Sequence, residues 1–178
     1  MELDFNCDRK AKNDFTASTY SYFTTHYPQY TAITYYEADK WGNLIPYGDP
    51  RAYEQAHIDT YIKLESSART ITYSVELKER WGRYISTYYG EEGQEGWVYN
   101  YEKDGWLMDE VEKGRIPLFC NEYPDDKMTI WNILKVDKSH NIRKAIKKVN
   151  IDPNSERKVQ DRIQLWNKDG ITIERIRT

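Results

Sequence analysis

The spacing of apolar and polar residues along the chain alternates between helical and strand-like periods. Residues 10–27 predict a first helix, which ends before Pro28 because proline disfavours the helical conformation in the residue preceding it. Residues 97–113 carry apolar side chains near helical spacing and predict a second helix, with Gly114 as its C-cap. Runs in which apolar and polar residues alternate predict strands. These runs are residues 31–39, 52–64, 68–80, 115–123 and 127–136.

The remaining segments complete an α/β chain with a distinct C-terminal part. Residues 44–50, which are rich in glycine and proline, predict a loop after the first strand. Residues 140–149 predict a short basic helix, and residues 171–178 predict a last strand. The order helix, three strands, helix, two strands predicts a core domain over residues 1–135. We expect residues 136–178 to form a basic C-terminal extension that packs on the same domain.

The second and third predicted strands form a hairpin whose apolar residues fix its register. A turn centred between Ser67 and Ala68 aligns the apolar residues of both strands on one continuous face. The same register places Asp59 opposite Glu76 on the other face, so two acidic residues meet inside otherwise apolar strands. The pairs on the apolar face are Ile58 with Leu77, Thr60 with Val75, Ile62 with Tyr73, and Leu64 with Ile71.

Two carboxylates that face each other in this way need a positive partner. Directly opposed residues have Cβ atoms roughly 4.5–5.5 Å apart, where like charges repel. A divalent cation between Asp59 and Glu76 would offset that repulsion, and carboxylate oxygens suit Mg²⁺ or Mn²⁺. Lys78 lies one pleat beyond Glu76, where an ammonium can hold a water and stabilise negative charge on a phosphate. A solvent-exposed strand face would carry the same residue types, so Glu-x-Lys alone leaves both interpretations open.

Asp59 on one strand and Glu76-Leu77-Lys78 on the next together resemble the PD-(D/E)XK nuclease superfamily. The order of helices and strands over residues 10–135 is also similar to that family's core. The resemblance implies a restriction-endonuclease-like αβββαβ fold, with a central mixed sheet flanked by helices, as in Holliday-junction resolvases. It further implies an endonuclease that hydrolyses phosphodiester bonds by attack of water, with DNA rather than RNA as the expected substrate.

The resemblance also assigns roles to single residues. Asp59 and Glu76 would ligate Mg²⁺ or Mn²⁺ together with the backbone carbonyl of Leu77. Lys78 would position the attacking water, so the expected catalytic residues are Asp59, Glu76 and Lys78. One departure from the family pattern is Ile58, which stands where many members have proline before the aspartate.

A second departure concerns the first helix, where some members of the family carry a glutamate. The predicted helix offers only Asp14 in its place, and Glu37 on the following strand is a weak substitute. We assign neither residue a role from the sequence.

Further residues are expected to contact the substrate near the hairpin. Gln55 and His57 lie on the same predicted strand face as Asp59, and His57 falls opposite Lys78. Either side chain could touch nucleic acid or a metal-bound water. The alternative for His57 is an exposed or packed histidine without a functional role.

Basic residues outside the hairpin are also candidates for substrate binding. Lys103 lies on the second predicted helix, which in the family often supplies a polar residue to the site. Arg143, Lys144 and Lys147 in the predicted basic helix could follow a phosphate backbone. A solvated surface position explains each of these residues equally simply.

Charge is unevenly distributed along the chain, although the net charge of the 178 residues is only −3. Residues 135–178 hold 12 Lys and Arg against 6 Asp and Glu, whereas residues 1–134 hold 14 against 23. A basic tail on an acidic body fits a protein that contacts phosphate with one part and binds cations with the other. Solvated charged surfaces would give the same distribution.

Other sequence features narrow the class of protein. The chain has no apolar run of membrane-spanning length and no secretory signal pattern, so we expect a cytoplasmic protein without membrane partners. Two cysteines and three scattered histidines predict neither a disulfide framework nor a zinc site.

Three hypotheses for function follow from these observations. The first is a magnesium-dependent DNA endonuclease of the kind found in phages or mobile elements, in which a homodimer would bring two sites to two strands. The second is a non-catalytic module that keeps a nuclease-like fold and binds nucleic acid or protein. The third is a structural protein whose Glu-x-Lys is coincidental, and it predicts that Asp59 and Glu76 do not face each other.

Overall fold

The computed structural model describes residues 5–80, 96–136, 141–146 and 158–178, and these ranges form an α/β fold. The helices are α1 (Phe5–His26) and α2 (Tyr101–Glu112). The strands are β1 (Ala32–Ala38), β2 (Leu44–Pro46), β3 (Thr60–Glu65), β4 (Thr70–Glu79), β5 (Gly96–Asn100), β6 (Ile116–Glu122), β7 (Lys127–Asn132), β8 (Asn141–Ile146), β9 (Lys158–Trp166) and β10 (Ile171–Glu174).

A mixed seven-stranded sheet organises the fold, in the order β10-β7-β6-β4-β3-β1-β2. Strands β4 and β6 are its parallel pair, and the connection between them passes through α2. The other neighbouring strands of this sheet pair antiparallel. A second, three-stranded sheet has the order β5-β9-β8 and is antiparallel throughout. Parallel neighbours need such a crossover, whereas the antiparallel neighbours can be joined by short turns.

The two helices are associated with opposite faces of the large sheet, each over its own apolar cluster. On one face, Phe15 of α1 packs in a cluster with Ile62, Leu77 and Cys120. On the other face, Leu107 of α2 packs in a cluster with core residues that include Tyr61, Phe119, Tyr123 and Trp131. Successive strand residues point to opposite faces, so neighbours along one strand serve different clusters. Alternate residues of β4 and β6 therefore face either the cluster beneath α1 or the face that carries α2.

The predicted register of the β3–β4 hairpin is confirmed. Thr60 pairs with Val75 and Leu64 pairs with Ile71, as the shared apolar face requires. The regular ladder begins only at Thr60, however, and Ile58 packs in the cluster beneath α2 rather than with Ile62. The expected pairing of Ile58 with Leu77 is therefore wrong, because the chain leaves the ladder before that point.

Other strand and helix boundaries also differ from the expectations. Residues 52–59 form turns and irregular structure instead of the first half of a strand, and the predicted loop at 44–50 contains β2. Residues 97–100 belong to β5 instead of the second helix, since Trp97, Val98 and Tyr99 favour a strand that can pair with β9.

The predicted basic helix at 140–149 is wrong within its described residues. Asn141–Ile146 form β8, which pairs with β9, and β9 itself was not predicted. Tertiary pairing overrides the weak helical preference of this short segment. The first helix is confirmed, although it begins at Phe5 instead of residue 10 and ends at His26. The C-cap at Gly114 agrees with expectation, and Gly114 has a φ of 78°, which favours glycine.

Candidate functional site

The candidate site lies near the C-terminal end of β4, on the sheet face that carries α2. Ser74 and Glu76 both point to this face, since Ser74 Oγ donates a hydrogen bond to Glu110 of α2 at 3.1 Å. Glu110 also accepts a hydrogen bond from Arg115, so its buried carboxylate is satisfied within the structure. Glu76, by contrast, lies closer to the strand end, where Asp59 of the segment before β3 and Lys103 of α2 both reach it.

Asp59 reaches this site because the chain leaves the ladder just before β3. Its N–H donates to the Val75 carbonyl at 3.1 Å, and its Oδ2 accepts a hydrogen bond from the Leu77 N–H at 2.8 Å. This contact holds the carboxylate against the β4 backbone, next to Glu76. The two acidic residues predicted to meet therefore do meet, although by a local bend rather than by regular pairing.

Glu76 is a buried carboxyl with an unusual proton affinity. It is 5% exposed, and burial together with the negative charge of Asp59 raises its pKa to about 8. Lys103 of α2 forms an ion pair with Glu76 and opposes that shift without cancelling it. A further positive charge that approached both acidic side chains would stabilise the ionised form of the Glu76 carboxyl.

Lys78 lies next along the same face and is exposed at the strand end. Partial desolvation lowers the pKa of its ammonium, and the nearby cations Lys103 and Arg80 lower it further. Three basic side chains therefore converge beside two acidic ones. We call Asp59, Glu76, Lys78 and Lys103 the open cluster.

Asn121 is a residue of this region that sequence reasoning missed. It lies on β6, directly beside Lys78 in the parallel ladder, and is fully buried. Its Oδ1 accepts a hydrogen bond from Arg80 Nε at 3.0 Å. The sequence could have indicated Asn121, because it is a polar residue within the otherwise largely apolar strand IPLFCNE. Polar side chains buried in strands need specific partners.

The donor set of the open cluster suits a hard divalent cation. Two carboxylates and a neighbouring backbone carbonyl supply the oxygen ligands that Mg²⁺ or Mn²⁺ prefers. Within the described ranges, no group of three or more His, Cys, Asp or Glu side chains is arranged to hold a metal ion. A cation here would therefore use Asp59, Glu76 and waters, with Leu77 as the predicted third protein ligand.

Gln55 and His57 do not lie on a strand face beside Asp59, contrary to expectation. Both belong to the irregular segment before β3. The His57 ring stacks on Trp106 of α2 with centroids 4.0 Å apart, so it does not face Lys78 as predicted. Gln55 is exposed and accepts a hydrogen bond from Tyr53. Gln55 and His57 line a separate cavity of about 270 Å³ beside α2.

The remaining predicted substrate contacts fall at different places. Lys103 lies in the open cluster, as its place on α2 suggested. Arg143 and Lys144 lie on β8, where their Cα partners are Asp161 and Gln160 of β9. Lys147 lies outside the described residues.

A second group of buried charges occupies the opposite face of the sheet. Asp14 of α1 accepts hydrogen bonds from the guanidinium of Arg175 at 3.0 and 3.2 Å, and Arg175 also lies 3.4 Å from Glu122. Asp14 and Glu122 are fully buried, and Arg175 is 7% exposed. The backbone N–H and hydroxyl of Thr178 complete the shell around Asp14. We call Asp14, Glu122 and Arg175 the closed cluster.

The two acidic substitutes considered for the first helix therefore serve other contacts. Asp14 lies in the closed cluster, on the sheet face away from Glu76. Glu37 forms ion pairs with Arg9 and Lys12 and accepts a hydrogen bond from the Gly48 N–H. Burial tends to raise the pKa of Glu37, but these partners outweigh it and hold the pKa below its usual value.

No protein-family model, no curated protein and no solved structure matches this chain. Within the described ranges, neither helix combines the length and the apolar character needed to cross a membrane. The case for a function therefore depends on the geometry of the open cluster and on its chemistry.

Proposed function

We propose that the open cluster is the active site of a metal-dependent nuclease that hydrolyses phosphodiester bonds. DNA, rather than RNA, is the proposed substrate. The observation that carries this proposal is the meeting of Asp59 and Glu76 at the end of β4, where burial and the negative charge of Asp59 together raise the pKa of Glu76. A coincidental Glu-x-Lys gives no reason for that meeting. The neighbouring Lys78 adds the third residue type that the chemistry needs.

Each residue has a definite task in this proposal. Asp59 and Glu76 would hold Mg²⁺ or Mn²⁺ together with the Leu77 carbonyl, and the bound cation would polarise a phosphate oxygen. Lys78, with its lowered pKa, holds the attacking water and stabilises the charge that develops as the bond to the leaving oxygen breaks. The leaving oxygen then takes a proton, so that water is added across the phosphodiester bond.

The arrangement of elements around the cluster agrees with the resemblance to restriction-endonuclease-like enzymes. The acidic pair belongs to a β3–β4 hairpin, α2 follows it, and β6 lies parallel to β4. A homodimer cutting two strands, as in a phage or mobile-element endonuclease, is the corresponding assembly. Residues of the basic C-terminal region, Arg143 and Lys144 on β8 among them, are the proposed contacts to the nucleic-acid backbone.

Cleavage assays test this proposal. The purified protein is incubated with plasmid, branched DNA, single-stranded DNA or RNA, in Mg²⁺, Mn²⁺ or EDTA. We expect metal-dependent cutting that falls by about 100-fold or more in Lys78→Ala and Glu76→Gln. Glu122→Gln and Lys10→Ala are matched controls, since Glu122 is a buried glutamate on the other sheet face and Lys10 is an exposed lysine of α1.

The outcomes separate the alternatives cleanly if each variant retains the wild-type circular dichroism spectrum. Cutting that survives Lys78→Ala and Glu76→Gln would place the activity elsewhere and contradict the proposal. Equal losses in Glu122→Gln would indicate a general structural effect. Absence of cutting on every substrate would contradict catalysis and favour a non-catalytic binding module, which is the second candidate function.

The second candidate is a non-catalytic module that binds nucleic acid or protein. The ion pair between Lys103 and Glu76 favours it, because Lys103 already supplies a positive charge at the place proposed for the metal. In this case the wild-type protein would bind DNA in EDTA as tightly as in Mg²⁺. Removal of the Lys78 charge would weaken that binding modestly, whereas Glu76→Gln would leave it unchanged.

A further inference from the structure

A cavity on the face opposite the open cluster has features of a ligand site, independently of the proposed nuclease function. It lies between α1, the segment after α1, and the large sheet, and its volume is about 340 Å³. Its walls come from Phe15 and Phe23 of α1, from Tyr30, and from strand residues such as Ile62 and Tyr73. Pockets that hold small molecules start near this volume.

The buried side chains that line this cavity are mainly apolar and aromatic. Phe15 and Ile62 are fully buried, and the rings of Phe23 and Tyr73 stack with centroids 6.2 Å apart. Protein interiors rarely leave spaces larger than a water molecule, because side chains that line an open space lose dispersion contacts. An aromatic wall that borders an open space is therefore suited to contact an apolar ring or chain.

Among the described residues that line the cavity, the two charged ones are both cations. Arg69 and Lys135 are exposed, and the Nε of Arg69 donates a hydrogen bond to the hydroxyl of the buried Tyr30 at 3.1 Å. This bond holds the Arg69 side chain at the cavity. The described residues of the lining include no acidic side chain, which contrasts with residues 1–134 as a whole, where there are 23 acidic residues and 14 basic ones. An anionic group at the cavity would therefore find cations, and no carboxylate, among the described residues of the lining.

We propose that this cavity binds a small amphipathic anion, with an apolar ring or short alkyl chain inside and a carboxylate at Arg69 and Lys135. The aromatic wall selects the apolar part through contact area. The two cations select the charged end, since hydrogen bonds to charged groups are stronger than those to neutral ones. Neither Asp59 nor Glu76 lines this cavity, so ligand binding and nuclease activity can be tested separately.

The test compares two probes of equal chain length, octanoate and 1-octanol, each displacing the fluorescent dye 1-anilinonaphthalene-8-sulfonate from the purified protein. We expect one saturable site that binds octanoate at least about tenfold more tightly than 1-octanol, which corresponds to one charge-assisted interaction. The double variant R69Q/K135Q should lose that preference and keep its affinity for 1-octanol. Lys40→Gln with Lys168→Gln is the matched control, because both lysines are exposed and neither lines the cavity.

A second variant checks the apolar part of the proposal. Ile71→Trp adds a large side chain to the cavity wall at a half-buried position, and it should weaken binding of both probes. The proposal is overturned if 1-octanol binds as tightly as octanoate, if R69Q/K135Q retains the preference, or if neither probe displaces the dye at a single site. The charge variants remain a valid test if Ile71→Trp does not fold, because they alter exposed side chains.

Discussion

The open and closed clusters place buried carboxyl groups on opposite faces of the same sheet, yet they are built differently. Each contains a glutamate whose pKa burial raises to about 8, Glu76 in one and Glu122 in the other. In the closed cluster, Arg175 is almost fully buried, and the backbone N–H of Thr178 donates a hydrogen bond to Asp14. In the open cluster, Lys78 is exposed and Lys103 is only partly buried.

A carboxyl with a shifted pKa does not by itself identify a functional site. Strongly shifted pKa values occur both in active sites and in structural ion-pair networks. Each cluster brings two acidic groups together, and access to solvent distinguishes the open one. Direct ion pairing with a buried arginine distinguishes the closed one. We therefore interpret the closed cluster as structural, and the following predictions test this contrast.

The largest effect is expected from removing the arginine of the closed cluster. Arg175→Met would leave Asp14 buried without its counter-ion, and breaking a buried pair in this way costs about 3–5 kcal/mol of unfolding free energy. Lys103→Met in the open cluster should cost about 1 kcal/mol or less, because Lys103 is partly exposed and Glu76 can take up a proton. Urea unfolding at pH 7 measures both values.

Arg177→Met is the control for that comparison. Arg177 lies two residues after Arg175 in the sequence, is exposed, and forms an ion pair with Asp126. The substitution should change the unfolding free energy by no more than about 0.5 kcal/mol. Similar losses for Arg175→Met and Lys103→Met would contradict the division into a structural and an accessible cluster. If Arg175→Met does not fold, Arg175→Lys provides a smaller perturbation at the same place.

The next effect is a decrease in stability as the pH rises. The folded-state pKa values of Glu76 and Glu122 are both raised to about 8 from a usual value near 4.5. Between these limits the folded chain keeps protons that the unfolded chain has released, so the unfolding free energy falls with increasing pH. Each group contributes at most about 1.4 kcal/mol per pH unit. Urea unfolding between pH 5 and pH 8 measures this slope.

Substitution by glutamine separates the two contributions. Glu76→Gln and Glu122→Gln should each make the dependence on pH shallower, because glutamine carries no ionisable proton. An unchanged slope in either variant would show that the corresponding carboxyl ionises normally in the folded protein. A slope of opposite sign in the wild type would contradict the raised pKa values of both groups.

The sequence was sufficient to predict the hairpin but not its end. Alternating apolar residues in both strands allow only one register, and this local pattern correctly paired Thr60 with Val75. The bend that brings Asp59 onto the Leu77 amide leaves no comparable pattern, and it also moved Ile58 to the other cluster. The meeting of Asp59 with Glu76 was thus predicted correctly for a reason that was only partly right.

The closed cluster could not be predicted because its members are remote in sequence. Asp14 and Arg175 are 161 residues apart, and nothing in the local pattern of either segment indicates the partner. The pairing of β5 with β9 is a similar case, since residues 97–100 continue directly into α2 and resemble its first turn. Periodicity describes which face a residue occupies, whereas such contacts depend on the complete topology.

A smaller effect is expected from divalent cations. At pH 8, Mg²⁺ at ten times its dissociation constant should raise the unfolding free energy by about 1.4 kcal/mol if it binds the folded state alone. Glu76→Gln should abolish this stabilisation, and Glu122→Gln should keep it, because only Glu76 lies beside Asp59. Thermal unfolding with and without Mg²⁺ measures the difference. Equal stabilisation of both variants would indicate nonspecific binding and contradict a metal site in the open cluster.

The smallest effect on stability should come from the residue with the largest proposed effect on activity. Lys78 is exposed, so Lys78→Gln should change the unfolding free energy by no more than about 0.5 kcal/mol, similar to Lys10→Gln on α1. Urea unfolding measures both variants. A loss of cleavage without a loss of stability would separate the chemical role of Lys78 from a structural one. A loss above about 2 kcal/mol would instead show that the lysine supports the strand end, and the contrast between the open and closed clusters would fail at its most exposed member.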